Sequence, residues 1–346
     1  MCGEEYSLVL KSDGSVWTWG SNENHQLGDG TDTNKSIPIL FGTGFTKISS
    51  NNGITLAIKA DGTIWGCGSN PYQQLGIGGV YFASPKQVAS GFSEIAVGTF
   101  HVLALKSDGT LWAWGRNADG QLGDGTNEDR STPVLIGSNF KSIAAGALHS
   151  MALKSDGSLW TWGDNFNGKL GDGTAEDNNV PTFVGSSFSK IATSSFHSLA
   201  IKIDGSLWAW GSNFYGGLGD GTKLPKYVPT NVGADYKSVS AGADFSLALK
   251  SDGTLWAWGR NHYGQLGTGG VSPLLDFDNS FSQSDQLNPI LIGSDYKEVS
   301  AGNSHTMAIK NDLTLWVWGS NTHGQLGNGK TGNQYSSANP TQVIWE

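Results

Sequence analysis

Apolar and polar residues alternate along "HSMALK" (149–154) and again along "SLWTWG" (158–163), the period of two expected of half-buried strands. Between them lies Asp156-Gly157, a pair favoured in two-residue type I′ hairpins, so the segment predicts a β-hairpin. Asp-Gly recurs at Asp13, Asp61, Asp108, Asp204 and Asp252, whereas the seventh copy reads Asp312-Leu313. Positive φ is costly for leucine, so a different turn is expected there. A short apolar segment such as "FKSIAAG" (140–146) precedes each hairpin, and one such as "PVLIG" (133–137) follows about twenty residues after the tryptophans. Each unit therefore predicts four antiparallel strands.

The first tryptophan of each unit falls at Trp17, Trp65, Trp112, Trp160, Trp208, Trp256 and Trp316, with spacings of 48, 47, 48, 48, 48 and 60. Seven strand-rich units at this period predict an all-β chain, a seven-bladed β-propeller of four-stranded antiparallel blades. Residues two apart share a face of a strand, so each Trp-x-Trp pair predicts two indoles filling the wedge between blades. Thirteen of the fourteen tryptophans obey the pattern; Trp345 does not, and Cys67 stands where most units carry the second indole.

The chain reads as a single propeller domain over residues 1–346, with a loop insertion at about 270–285 in the sixth repeat. Alignment of "MCGEEYSLVLKSDG" with "AAGALHSMALKSDG" places Met1 inside the first strand of its blade, so the first blade is expected to lack part of its inner strand. "PTQVIWE" (340–346) matches a fourth strand only, leaving the counterpart of Phe140 to Ile143 unsupplied. Either Val343 and Trp345 stretch across the gap or the chain is a fragment, and the second is the preferred expectation. Localisation stays open between cytoplasmic and secreted, since an export signal would then lie upstream of Met1.

Composition narrows the function classes. Net charge is −9 with 15% charged residues, which argues against a broad phosphate-tracking surface, so nucleic acid is not an expected partner. No apolar run approaches the ~18 residues of a membrane span, and no membrane partner is expected. Cys2 and Cys67 offer neither a disulfide framework nor metal-ligand spacing. "GQLGNGKT" (324–331) fits the phosphate-loop pattern literally, yet "GNQYSSANPTQ" follows where that chemistry needs a helix. "DGQLGDGTNED" (119–129) lacks the alternating oxygen ligands of a calcium loop. No cofactor, metal site or catalytic residues are assigned.

Repetition separates structural residues from candidates for binding. Asparagine fills one position in all seven units (Asn22, Asn70, Asn117, Asn165, Asn213, Asn261, Asn321), which reads as a side chain satisfying loop backbone. The position held by His101, His149, His197 and His305 is Tyr6, Ile54 and Phe245 elsewhere, which reads as core.

"GALHSMALKSDGSLWTWG" (146–163) and "GNSHTMAIKNDLTLWVWGSNTHGQLG" (302–327) resemble the regulator of chromosome condensation repeat, and the resemblance spans the chain. It implies a seven-bladed propeller from a bacterial type of repeat protein, in a family that includes exchange factors for the GTPase Ran, a plant ultraviolet-B photoreceptor and bacterial β-lactamase inhibitors. The lengthened blade differs from the one used for Ran exchange, no basic tail is present, and the Gly-x-x-His turns lack the photoreceptor's tryptophans.

Function is therefore sought where the units differ. Tyr72, Phe166, Phe214, Tyr215, His262 and Tyr263 sit in the variable third-to-fourth-strand loops, beside turns carrying Phe100, Leu148 and Phe196. Leu274, Leu275, Phe277 and Phe281 belong to the insertion and are not required by the blade pattern. The expectation is a monomeric, non-enzymatic protein-protein interaction scaffold binding a partner through loops on one propeller face. The alternative is a guanine-nucleotide exchange factor or regulator of a small GTPase, and the third reading a carbohydrate-binding or catalytic propeller.

Overall fold

The alternating segments form seven antiparallel sheets that follow one another around a central channel in the computed structural model, in which residues 1–270 and 285–344 are described. Blade 4 is representative, with Phe140–Ala145 innermost, then His149–Lys154, Leu159–Gly163 and Asn178–Gly185 outermost. The all-β, seven-bladed propeller read from the repeat is the observed fold. Six sheets have four strands, and blade 1 has three, Tyr6–Leu10, Val16–Gly20 and Lys35–Gly42. Met1 to Gly3 lie along Tyr6–Leu10 as a fragment of an inner strand, through a Cys2–Ser7 bridge and a Gly3 N–H bond to the Tyr6 carbonyl. Val343 occupies the ordinary outer-strand place held elsewhere by Ile136 or Val184, its N–H bonded to the Leu315 carbonyl, and so spans no gap; Trp345 lies outside the described residues.

The hairpin differs from the expected two-residue type I′ turn. The Gly157 N–H donates to the Lys154 carbonyl and the Lys154 N–H to the Ser158 carbonyl, a type I turn closed by one left-handed residue. Only Gly157 takes positive φ (83°), while Asp156 accepts the Ser158 N–H at 2.8 Å. The seventh copy forms the same turn, contrary to the sequence expectation: Leu313 sits at φ 67° with its N–H on the Lys310 carbonyl. Its side chain is exposed, and the Asp312 carboxylate still accepts the Thr314 N–H, so the strain falls on one exposed residue.

The two indoles of each pair do different jobs. The first is half-buried, and its Nε1–H donates to the hydroxyl two residues earlier, as Trp160 does to Ser158 at 2.9 Å. Lys154 covers this ring and that of Phe140, with centroid distances of 4.0 and 5.3 Å. The second indole is fully buried against the preceding blade and donates Nε1–H to a backbone carbonyl there. Trp19, Trp114, Trp162, Trp210, Trp258 and Trp318 reach Gln325, Gln74, Gln121, Lys169, Gly217 and Gln265 at 2.8–2.9 Å.

Blade 2 lacks that indole, and its neighbour compensates. Cys67 Sγ lies 3.5 Å from the Gln26 carbonyl, and Phe41 packs in the same buried cluster. Phe41 fills the outer-strand place that is Val88, Ile136, Val184 or Val232 in other blades, so the larger ring occupies volume the absent tryptophan leaves.

The histidines close the joints nearer the channel. His101, His149, His197 and His305 are buried, and each Nε2 meets a serine hydroxyl of the next blade: Ser150, Ser198, Ser246 and Ser7 at 2.7–3.1 Å. Those hydroxyls donate onward to the same carbonyls that receive the tryptophans, at Gln121, Lys169, Gly217 and Gln325. A hydroxyl that donates its only proton must accept from histidine, which assigns the Nε2–H tautomer. Nδ1 of His149 has no hydrogen-bond partner and lies over Gly146, where a Cβ would come within 2.6 Å of it.

Burial holds these rings neutral. His101 and His305 are pushed down to about 3 and His197 to about 4, chiefly by desolvation, and His149 falls well below its ordinary value for the same reason. The unfolded chain binds these protons near pH 6.5, whereas the folded one takes them up only well below that, near 3 to 4 at His101, His197 and His305, so their contribution is intact above pH 6.5 and lost as pH falls below it. His101, His197 and His305 should each cost about 2 kcal/mol at pH 5, and His149 acts in the same direction. The raised carboxyls described below work in the opposite sense, so the readout is the difference between wild type and His149→Phe, the residue type at Phe245. The variant should lose less stability between pH 7.5 and 5 in urea unfolding; parallel curves would show that His149 is not held neutral by the fold.

The Phe41–Cys67 exchange gives a second expectation. Cys67→Trp alone should overpack the joint and cost about 1–3 kcal/mol, and Phe41→Ile in the same chain should restore most of it. Additive losses in a double-mutant cycle would separate the two residues.

Candidate functional site

Third-to-fourth-strand loops and first-to-second-strand turns leave the same face of the propeller, and each loop is held from within. In blade 3, Asn117 Oδ1 accepts the Leu122 N–H at 2.9 Å, while Nδ2 reaches Asp124 Oδ1 and the Thr126 carbonyl at 3.0 Å. Asp124 is ion-paired with Arg130 at 2.7 Å, and Asp129 Oδ1 accepts the Asn117 N–H. The Asn-to-Leu bond recurs at Leu27, Leu75, Leu170, Leu218, Leu266 and Leu326. These polar side chains serve the loop backbone, as read from their invariance across blades.

The variable residues ride on this frame. Phe166 is 63% exposed, Phe214 54%, Phe196 43% and Tyr72 37%, too open for rings that merely cover the indoles beneath. Tyr215, His262 and Tyr263 are half-buried. Tyr72 meets Phe100 of the next blade edge-on at 5.1 Å, and Tyr215 meets His262 of the next blade at 5.9 Å. The loops thus join in pairs across blade boundaries. Leu274, Leu275, Phe277 and Phe281 lie outside the described residues.

Two arginines that sequence reasoning passed over complete these pairs. Arg260 stacks over Tyr215 of the preceding blade at 4.8 Å, with Asp244 at 3.3 Å and His262 Nδ1 at 3.1 Å. Arg116 lies over Tyr72 at 5.9 Å and pairs with Asp119 at 2.5 Å. The signal was present: both occupy the position between Gly and Asn that is Ser21, Ser69, Ser212 and Ser320 in four other units. Blade 4 has Asp164 there and Lys169 in place of the usual glutamine, and the buried Lys169 pairs with the partly exposed Asp164.

Some carboxyls around this face are pushed upward, while Asp29, Asp124 and Asp220 in the loop frames are lowered. Glu4, at the mouth of the channel, rises to about 7 through burial and then the charge of Glu5. Burial also raises Asp244 and Asp285, against the pull of Arg260. No cluster of three or more histidines, cysteines or carboxylates is arranged to hold a metal among the described residues. Among the described residues the face offers aromatic and paired-charge contacts.

The family model of the RCC1-like domain matches residues 1–187 and again 86–345. The chain belongs to the RCC1-like family. Solved relatives share the fold at low identity. Human WBSCR16 is 22% identical, with 96% of this chain and 94% of that one covered at a TM-score of 0.82. Yeast RCC1 (Prp20), solved bound to Kap60, is 20% identical over 97% and 85% at 0.83. The CRINKLY WD40 ectodomain of the Arabidopsis thaliana receptor kinase ACR4 is 19% identical over 91% and 90% at 0.52. At these identities the likeness shows the RCC1-like propeller and leaves its contacts to be argued from its own residues. No helix among the described residues is long and apolar enough to cross a membrane.

If the loop frame is self-supporting, the exposed rings are dispensable for folding. Phe166→Ala and Phe214→Ala should each shift unfolding free energy by no more than about 0.5 kcal/mol, whereas Trp162→Ala should cost about 3–5 kcal/mol. A comparable loss at Phe166 in chemical denaturation would make that ring part of the core.

Proposed function

We propose that this RCC1-like propeller is a non-enzymatic scaffold that binds a partner protein through its loop-rich face. The observation that carries this reading is the exposure of Phe166, Phe196, Phe214 and Tyr72 on loops whose own polar groups already satisfy the backbone. Blade packing does not require rings there. Large rigid aromatics rimmed by Arg116, Arg260 and acidic side chains are the anchors that protein interfaces favour.

Membership of the family favours a second reading, regulation of a small GTPase. The Prp20 structures are described in terms of Kap60 and of binding to Gsp1p and histones, which are protein partners of that relative. Partner binding is common to both readings, and nucleotide release distinguishes them.

Affinity capture from a lysate of the source organism, followed by titration of the purified captured protein, supplies the test. Replacing Tyr72, Phe166, Phe196 and Phe214 together by alanine should weaken binding at least tenfold without unfolding the propeller, and a second variant lacking residues 271–284 asks whether the insertion contributes. Unchanged affinity in both would remove the loop-rich face from the interface. Faster guanine-nucleotide release from a captured GTPase would favour the second reading.

A further inference from the structure

Three exposed rings, Phe166, Phe196 and Phe214, sit on segments that are bonded to one another across blades 4 and 5. Lys169 Nζ, in the loop that carries Phe166, donates to the Ser195 carbonyl at 3.4 Å, one residue before Phe196. The Phe196 carbonyl in turn accepts the Ser212 N–H at 3.0 Å, two residues before Phe214. The rings therefore form one patch on the loop-rich face, and its two ends differ in the charge beneath them.

At the Phe166 end, carboxylates converge. Asp164 Oδ1 accepts the Phe166 N–H at 2.9 Å, Asp177 Oδ1 the Asn165 N–H at 2.7 Å, and Asp172 Oδ1 a proton of Asn165 Nδ2 at 3.1 Å. Lys169 neutralises Asp164. In blades 1, 3 and 5 the aspartate equivalent to Asp172 has its own cation six residues on: Asp29 pairs with Lys35, Asp124 with Arg130 and Asp220 with Lys226, at 2.7–3.0 Å. Blade 4 has Asn178 in that place, and its Nδ2 meets Asp172 Oδ2 at 2.9 Å without bringing a charge. Desolvation, and then the charges of Asp164 and Asp119, hold the Asp177 carboxyl above its ordinary range against the Asn165 N–H. Around Phe214 the corresponding places are Ser212, the neutralised Asp220 and Pro225. Uncompensated negative charge thus lies at one end of the patch and not at the other.

We infer that the protein segment docking on this patch presents an arginine to Phe166, its guanidinium stacked on the ring and paired with Asp172 and Asp177, while neighbouring apolar side chains of the same segment cover Phe196 and Phe214. The inference rests on the scaffold reading above and adds the chemistry of what binds. A planar, weakly hydrated cation suits a place that offers an aromatic face and carboxylates together, whereas the ammonium of lysine holds its water more strongly. The rings supply contact area, and charge complementarity sets the direction of the segment, arginine over blade 4 and apolar end over blade 5.

The probe is a fluorescent peptide of sequence GGRLLGG, titrated by anisotropy against the full chain beside a twin carrying citrulline, which keeps the shape of arginine and removes its charge. Saturable binding of the arginine peptide, about fivefold tighter than its twin at low salt and approaching it as salt is raised, supports the inference. Asn178→Lys gives Asp172 the cation that Lys35 and Lys226 supply in their blades, so it suits the fold. It should weaken the arginine peptide about three- to tenfold and leave the citrulline peptide unchanged, with near-ultraviolet circular dichroism checking that the blades remain packed. No saturable binding, equal affinity of the two peptides, or no response to Asn178→Lys overturns the inference. The wider reading is decided separately by titration of the captured protein: affinity lost in the four-ring variant but untouched by Asn178→Lys keeps the docking face and removes the arginine.

Discussion

One backbone carbonyl per blade carries the ring. The Gln121 carbonyl sits at the inner end of its loop and receives two donors from the next blade, Trp162 Nε1–H at 2.9 Å and the Ser150 hydroxyl at 2.7 Å. Indole and hydroxyl are both costly to bury unpaired, so the joint satisfies its polar atoms while the largest apolar side chain in the repertoire fills the wedge. The same construction recurs at Lys169, Gly217, Gln265 and Gln325. Gln74 receives Trp114 alone, since Val102 stands at the hydroxyl position, and Gln26 receives the Thr55 hydroxyl and Cys67. Because the acceptor is backbone, the side chain at that position is free to change from glutamine to lysine or glycine without loss of the joint.

This arrangement explains why the shape was legible in the sequence and its working parts less so. The Trp pairs and histidines recur because most joints use the same side chains, and the Asn positions because every loop does; recurrence is readable without coordinates. The accepting carbonyls leave no residue signature. The pairing of Phe41 with Cys67 was likewise hidden, since the two lie in different units and only their contact across a blade boundary relates a larger residue to a smaller one. The hairpin was misread because Asp-Gly suits both a type I′ turn and a type I turn with a left-handed closing residue, and the bonds at Lys154 select the second.

The loop-rich face was partly readable. The aromatic positions stood out as departures from the repeat, but their exposure depends on how tightly each loop is tied to itself by its Asn and Asp side chains. Arg116 and Arg260 gain meaning only when each is seen over a tyrosine of the preceding blade. A blade boundary, rather than a single loop, is therefore the unit in which variation on this face acts.

The joint between blades 7 and 1 uses the same donors as the others, yet it differs in the length of chain it closes. Trp162 lies 41 residues from its acceptor, and Trp19 lies 306 from Gln325. Loop-closure entropy grows only logarithmically, so this longer circuit costs about 2 kcal/mol more than a neighbouring joint. Six joints can zip between successive units as soon as each is made, while the seventh waits for both ends of the ring. The ring is thus held shut at this joint by the same kind of bonds as elsewhere, against the largest chain-entropy cost of the seven.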